Sequence, residues 1–306
     1  MPFTLSHPAA VLPLLRRPFV ASALVAGAVA PDVPYLLGAL GLTATSSTDW
    51  HEPLVNATTT HSPGWGLGVD LLFTLCLVAA YRLLHRPVTA LLPADRALPG
   101  PGRTDGARGT SRHALWLLLS ALIGIASHLA WDSFTHGDGF WVTRVALLRE
   151  PVLGGLSPAR LLQYVSTVVG LAAIGAHLWR RRGRARTAAE ADGTARLRPA
   201  ERWSVVAALV TATVLGGVAQ ARDDFSAHRY QTEYDYSRPI TRDLGGGVTE
   251  TSYPSRTVKT PWGTLAEEVL TPAAKTAGAS FAVAVLLYGA AWHARRHRDR
   301  AGQRTP

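Results

Sequence analysis

The chain contains one cysteine, Cys76, and it stands inside an apolar block. One thiol cannot form an intrachain disulfide, nor supply a zinc site built mainly on thiolates. Its expected role is structural and inert. Charge is also scarce: 17% of the 306 residues are charged, against roughly 25% in soluble domains. Several signatures of soluble enzymes and carriers are missing. No glycine-rich phosphate loop follows a strand pattern, and there is no nucleophile elbow. No internal inverted repeat marks a secondary transporter. No aromatic residues interleave with the arginines, which sets nucleic acid aside as a partner despite a net charge of +10.

Hydrophobicity is abundant, and it comes in blocks. The mean hydropathy is +0.11, with apolar runs near 19–30, 66–84, 113–131, 160–179, 203–221 and 273–292. Several approach the ~20 residues that cross a bilayer. Basic residues lie beside these runs: Arg82, Arg86, Arg96, Arg103, Arg108 and Arg112, then the segment 180–202, then the tail from 295. Lys and Arg accumulate in cytoplasmic loops, so 85–112 and 180–202 are expected inside. Segments 31–65, 132–159 and 222–272 then share the external face. The expected fold is all-α: an integral membrane helical bundle of five spanning helices plus an N-terminal helical hairpin. Its parts would be a membrane domain over 1–179, a basic cytoplasmic linker over 180–202, a helix pair over 203–292 with external loop 222–272, and a basic cytoplasmic tail over 293–306.

The beginning of the chain imitates a signal peptide. Arg16 and Arg17 precede "FVASALVAGAVA", and Ala28-x-Ala30 resembles a cleavage site. Pro31 directly after it argues against cleavage, and the segment is expected to be retained. In "SHPAAVLPLLRRP", Ser6 can cap a short helix with Pro8 in its first turn. Pro13 and Pro18 favour a bend at Arg16 and Arg17. A hairpin would return His7 to the end of the molecule that carries Asp32, whereas one continuous helix would part them by ~35 Å. The segment 222–272, with its "GGG", tyrosines and prolines, shows little helical period and is expected to be a loop without clear elements.

The residues with chemistry gather around "HLAWDSFTH". Steps of four advance a helix by ~40°, so His128, Asp132 and His136 form one slowly drifting stripe. Gly137 is the expected stop. An i, i+4 His/Asp pair can grip a metal ion from one helix. Interfacial polar residues bonded to neighbours or water are the alternative, but three at this spacing in an apolar segment favour a site. Asp32, His61 in "TTTHSPGWG" and, through the hairpin, His7 fall on the same face. Together these six offer nitrogen and oxygen without sulfur, a set suited to one divalent metal, zinc first and Mn²⁺ or Fe²⁺ next, rather than Ca²⁺. His136 could be a ligand or a general acid.

Other groups are weaker candidates. His85 and His113 belong to the cytoplasmic side, His293 and His297 to the basic tail, and His177 to an interface. Ser62 beside His61 makes a poor catalytic pair. Asp70, a carboxylate inside the 66–84 block, suggests a proton-handling or helix-packing role.

The pieces "MPFTLSHPAAVLPLLRR", "GAVAPDVPYLL", "THSPGWGLGVDLLF", "LLHRPVTALLP", "SHLAWDSFTH" and "LLQYVSTVVG" occur in order over the first ~175 residues. In them the chain resembles the bacterial multi-pass membrane family known as domain of unknown function 4184. That resemblance implies a bacterial plasma membrane location. It also looks distantly similar to bacterial membrane-bound proteins labelled metal-dependent hydrolases. Their pattern is an N-terminal His, a Pro-Asp-x-Asp, a His-Arg-Gly-x-Thr-His-Ser and a later His-x-x-x-Asp. His7, Asp32, His61, His128 and Asp132 match it position by position, which implies that they are metal ligands. Pro34 stands in place of the second aspartate and Asn56 in place of the first histidine of the middle motif, leaving the ligands of one metal rather than two.

The expected function is metal-dependent hydrolysis at the external membrane face, on a lipid-linked or otherwise amphiphilic phosphoester, with membrane lipids as surroundings. A non-catalytic structural or metal-binding membrane protein is the rival. A transporter relaying protons through Asp70 and the histidines is a third reading.

Overall fold

A bilayer leaves no partner for an unpaired peptide group, so apolar runs of this length can persist there only as helices. The computed structural model describes residues 4–43, 49–62, 64–92, 106–152, 155–191, 197–246 and 249–302. Arg96 and Arg103 lie outside these. The long helices are α5 (Trp65–Leu91), α6 (Gly106–Thr135), α9 (Pro158–Ala191), α10 (Pro199–His228) and α11 (Trp262–Gly302), and each of the five is long and apolar enough to cross a membrane. The protein is therefore an all-α, multi-pass membrane protein. Its helices overrun the hydrophobic blocks: α9, for one, runs from Pro158 to Ala191, past the apolar run 160–179.

The N-terminal hairpin is present. Thr4–Leu14 is a 3-10 helix containing Pro8 and Pro13, residues whose missing amides interrupt an α-helical ladder. The chain turns through Leu15–Val20 into α1 (Ala21–Gly27), a 3-10 turn over Ala30–Asp32 and α2 (Val33–Ala39). Two four-residue helices, α3 (Glu52–Val55) and α4 (Ala57–Thr60), precede α5; α7 (Phe140–Arg144) and α8 (Ala146–Arg149) follow α6.

Helix α1 lies against α6 with almost no side chain between them. A Cβ on Gly27 would strike the Ala121 carbonyl, and one on Gly124 would strike the Leu24 carbonyl and come within 2.9 Å of Ala28 N. The Val20 amide donates to Ser120 Oγ at 2.9 Å at one end of this crossing. Ala23, Ala26, Val78 and Ala121 form one buried apolar cluster beside it, and Val11, Leu24 and Ala28 form another.

The chain divides into two compact units, residues 1–207 with 285–306, and residues 208–284. In the first, Tyr288 donates to the Pro87 carbonyl at 2.9 Å, tying the end of α11 to α5. In the second, α10 and α11 meet where Thr276 donates to Gln220 Oε1 at 3.4 Å. Beyond His228 the chain forms two antiparallel ladders, β1 (Tyr230–Tyr234) with β4 (Ser255–Lys259) and β2 (Ile240–Asp243) with β3 (Thr249–Ser252). The stretch expected to lack elements thus holds a helix end, four strands and a helix start. Its strands are exposed on both faces apart from Val258, so they carry none of the alternation that reveals a half-buried strand.

Candidate metal centre

The last two turns of α6 carry His128 and Asp132 inward, and His136 follows directly after the helix. The hairpin brings His7, the 3-10 turn brings Asp32, and the end of α4 brings His61. All six side chains converge. Asp132 Oδ2 lies 3.2 Å from His61 Nε2, 3.2 Å from His128 Nε2 and 3.3 Å from His136 Nδ1. Its Oδ1 lies 3.5 Å from His7 Nε2. Asp32 Oδ1 is 3.6 Å from His128 Nε2 and 3.8 Å from His61 Nε2. The rings of His7 and His128 stack with centroids 3.8 Å apart.

Backbone carbonyls aim two of these rings. His128 Nδ1 sits 2.9 Å from the Ala28 carbonyl and His61 Nδ1 2.8 Å from the Ala57 carbonyl. A carbonyl can only accept, so each Nδ1 carries a proton and each Nε2 is turned toward the cluster. Thr60 donates to the Pro31 carbonyl at 2.8 Å and so fastens α4 beside Asp32. Asn56 caps α4 by accepting from the Thr58 amide at 2.9 Å. The position that departs from the hydrolase-like pattern therefore serves the helix.

The cluster holds an unusual number of unmet polar atoms. His7 Nε2, both Asp32 oxygens, His61 Nε2, His128 Nε2, both Asp132 oxygens and both His136 ring nitrogens are buried without a hydrogen bond among the described residues. Buried polar groups are ordinarily paired. Here carboxylate oxygens and imidazole nitrogens face one another at ion-pair distance without hydrogen-bond alignment, an arrangement that a cation between them would satisfy. One ligand atom each from Asp32, His61, His128 and Asp132 lies within 4.8 Å of the others, so this group could hold a metal ion. His7 and His136 flank it.

Protonation is compatible with that role at His7. Burial, with the neighbouring His128, lowers its pKa to about 4. At His61 burial pulls downward too, but the Asp132 carboxylate and the Ala57 carbonyl outweigh it and raise the pKa. His7, Asp32, His128 and Asp132 are buried, whereas the side chains of His61 and His136 keep 22% and 20% exposure. The cluster thus has one open edge.

Ser62 does not pair with His61; its hydroxyl donates to the Thr59 carbonyl at 2.7 Å. His113 contacts Arg82 at 3.4 Å and His293 the Leu83 carbonyl at 2.9 Å, both away from the cluster. Asp70 is buried, and neither of its oxygens has a hydrogen bond among the described residues. The orienting carbonyls of Ala28 and Ala57 left no trace in the sequence, since any residue type supplies a carbonyl. Thr60 sits in "TTTHSPGWG", but its role depends on Pro31 being near.

Fold and site together define a multi-pass helical membrane protein with a buried His/Asp group able to hold a metal ion. The chain belongs to the family described as Domain of unknown function (DUF4184), whose model matches residues 1–289. No curated protein and no solved structure matches the chain. The likeness to metal-dependent hydrolases rests on the motif positions alone.

Proposed function

We propose that the protein binds one divalent metal, zinc being the best fit, between Asp32, His61, His128 and Asp132, and that it hydrolyses an amphiphilic phosphoester at the outer face of the bacterial plasma membrane. The observation that carries this is the set of buried, unpartnered carboxylate and imidazole atoms aimed at one another. Two oxygens and two nitrogens suit zinc, with manganese or iron as alternatives. A cation held there polarises a phosphoryl or acyl oxygen and lowers the pKa of a bound water toward ~7.

The chain's own residues supply the rest. Asp32 and Asp132 offset the cation's charge, and the Ala28 and Ala57 carbonyls keep the two histidine rings in one tautomer. His136, whose side chain keeps 20% exposure while both ring nitrogens face inward without a hydrogen bond among the described residues, is placed to hand a proton to a leaving group. His7, neutral and stacked on His128, excludes water from the closed side. The outward orientation is supported by the arginine distribution, and the amphiphilic substrate by the position of the cluster at the end of spanning helix α6.

Metal analysis of detergent-purified protein, paired with a panel of phosphatase and esterase substrates, tests this. Expected are about one metal per chain and phosphoester turnover that Asp132→Asn abolishes. Sub-stoichiometric metal after metal-supplemented expression would overturn it.

One observation favours a second reading. Four donors within 4.8 Å suffice to close a tetrahedral shell, as structural zinc sites do. Cobalt substitution separates the two: the visible spectrum of an open site changes when phosphate is added, and that of a closed site does not.

A further inference from the structure

Beyond the metal-bearing turn the chain builds a short foot. We infer that this foot, residues 140–149, lies in the head-group layer of the bilayer, where Arg144 binds the anionic head group of a membrane lipid. Helix α6 has 30 residues, about 45 Å at 1.5 Å per residue, against a hydrocarbon core of ~30 Å. Counted from Arg112, where the basic stretch ends, the ~20 residues that cross the hydrocarbon end near Asp132, so α7, although the apolar run continues through it to Arg144, is placed beyond the hydrocarbon. It is turned aside at Gly139, where a Cβ would come within 2.7 Å of the Ser133 carbonyl and 2.9 Å of those of Asp132 and His136.

Helices α7 and α8, of five and four residues, are too short to be stable by themselves. One buried side chain, Val142, pins them. Around that pin the foot presents Phe140, Trp141 and Leu147 at 53%, 43% and 67% exposure. Its apolar surface has an identifiable continuation. Phe134, exposed on α6, stacks on Trp141 with centroids 5.7 Å apart and planes 15° from parallel. The lipid-facing side of α6 therefore runs into the foot without a break, and the bilayer that covers one covers the other. Tryptophan at the end of a span has its preferred place at the head groups.

The charge fits the same occupant. The Arg144 guanidinium lies 3.6 Å above the Phe140 ring, and its Nη1 donates to the Phe140 carbonyl at 3.0 Å. That leaves most of an exposed, planar fork whose spacing matches two phosphate oxygens. Asp138 and Glu150 stand outside the two ends of the foot, so a cation amid aromatic rings is what its centre offers. Apolar burial and the attraction of each basic side chain add together at an anionic membrane surface. The foot's placement does not depend on a bound metal.

Depth measurement tests the placement. In a Cys76→Ala background, fluorophores on Trp141→Cys and Leu147→Cys, in vesicles of phosphatidylcholine and phosphatidylglycerol, should be quenched by brominated lipid and shielded from iodide. A label on Asp138→Cys should show the reverse. Equal iodide quenching at all three positions would overturn the placement. The head-group contact is tested by thermal stability in detergent. Phosphatidylglycerol should raise the midpoint of the wild type, and Arg144→Gln should cut that rise by roughly half or more, since the bidentate contact is lost. Inorganic phosphate alone should give no rise. An undiminished rise in Arg144→Gln, or a rise with free phosphate equal to that with lipid, would overturn the lipid assignment.

Discussion

At Asp132 two carboxylate oxygens meet His7, His61, His128 and His136, and a carboxylate contributes both a ligand atom and the charge that offsets a cation. Asp132→Asn keeps the shape and loses that charge, so it should release the metal while the fold survives. His128→Gln should do the same. The double variant should be little worse than either, because both act on one ion; metal content and chelator-sensitive thermal midpoints measure this. Were the cluster only packing, each change would cost roughly 0.5–1.5 kcal/mol and leave metal content as it was. His7 gives a second prediction, for chelated protein. Burial first, and His128 next, lower its pKa from 6.5 to about 4. Between those values the unfolded chain holds a proton that the folded one lacks, so stability falls as the pH drops through that window, by on the order of 3 kcal/mol in all. His7→Gln should flatten the midpoint–pH curve there; an unchanged slope would remove His7 as its cause. The i, i+4 spacing made His128 and Asp132 legible from sequence. The direction of each ring was not, because it is set by carbonyls distant in the chain.

The elements were legible to the degree that the bilayer dictates them. Hydropathy marks α5, α6, α9, α10 and α11 because peptide groups in lipid have no alternative to helix. Pro13 and Pro18 mark the hairpin because they remove amides. The β-ribbon between α10 and α11 was invisible for the opposite reason: exposed strands impose no pattern. The glycine crossing of α1 and α6 needed knowledge of which helices meet. It also yields a prediction. Gly124→Ala must push α1 away from α6, moving the Ala28 carbonyl off His128 Nδ1. It should cost about 1–3 kcal/mol by overpacking and weaken metal binding roughly 10–100-fold, as loss of an orienting partner does. Gly68→Ala, with open space around it on α5, should keep the affinity and gain slightly in stability. Equal affinities in the two variants would show that the crossing does not set the ring.

For the whole molecule, the arginines predict which side faces the cytoplasm. In a Cys76→Ala background, Leu244→Cys should react with an impermeant thiol reagent in intact cells and Arg198→Cys only after lysis. The opposite pattern would turn the metal centre to face inward. The cluster also has a consequence for how the protein is made. Its residues run from His7 to His136, and α1 alone has seven residues, about 10 Å of helix, so it is long enough to span only if Ala30–Ala39 continues it across the 41° bend. His7 and Asp32 thus precede in the chain the residues they close against. Until α5 and α6 have been threaded into the membrane, His7 and Asp32 have nothing to close against, and a translation stall before residue 136 would leave these two polar side chains unmatched in a largely apolar hairpin.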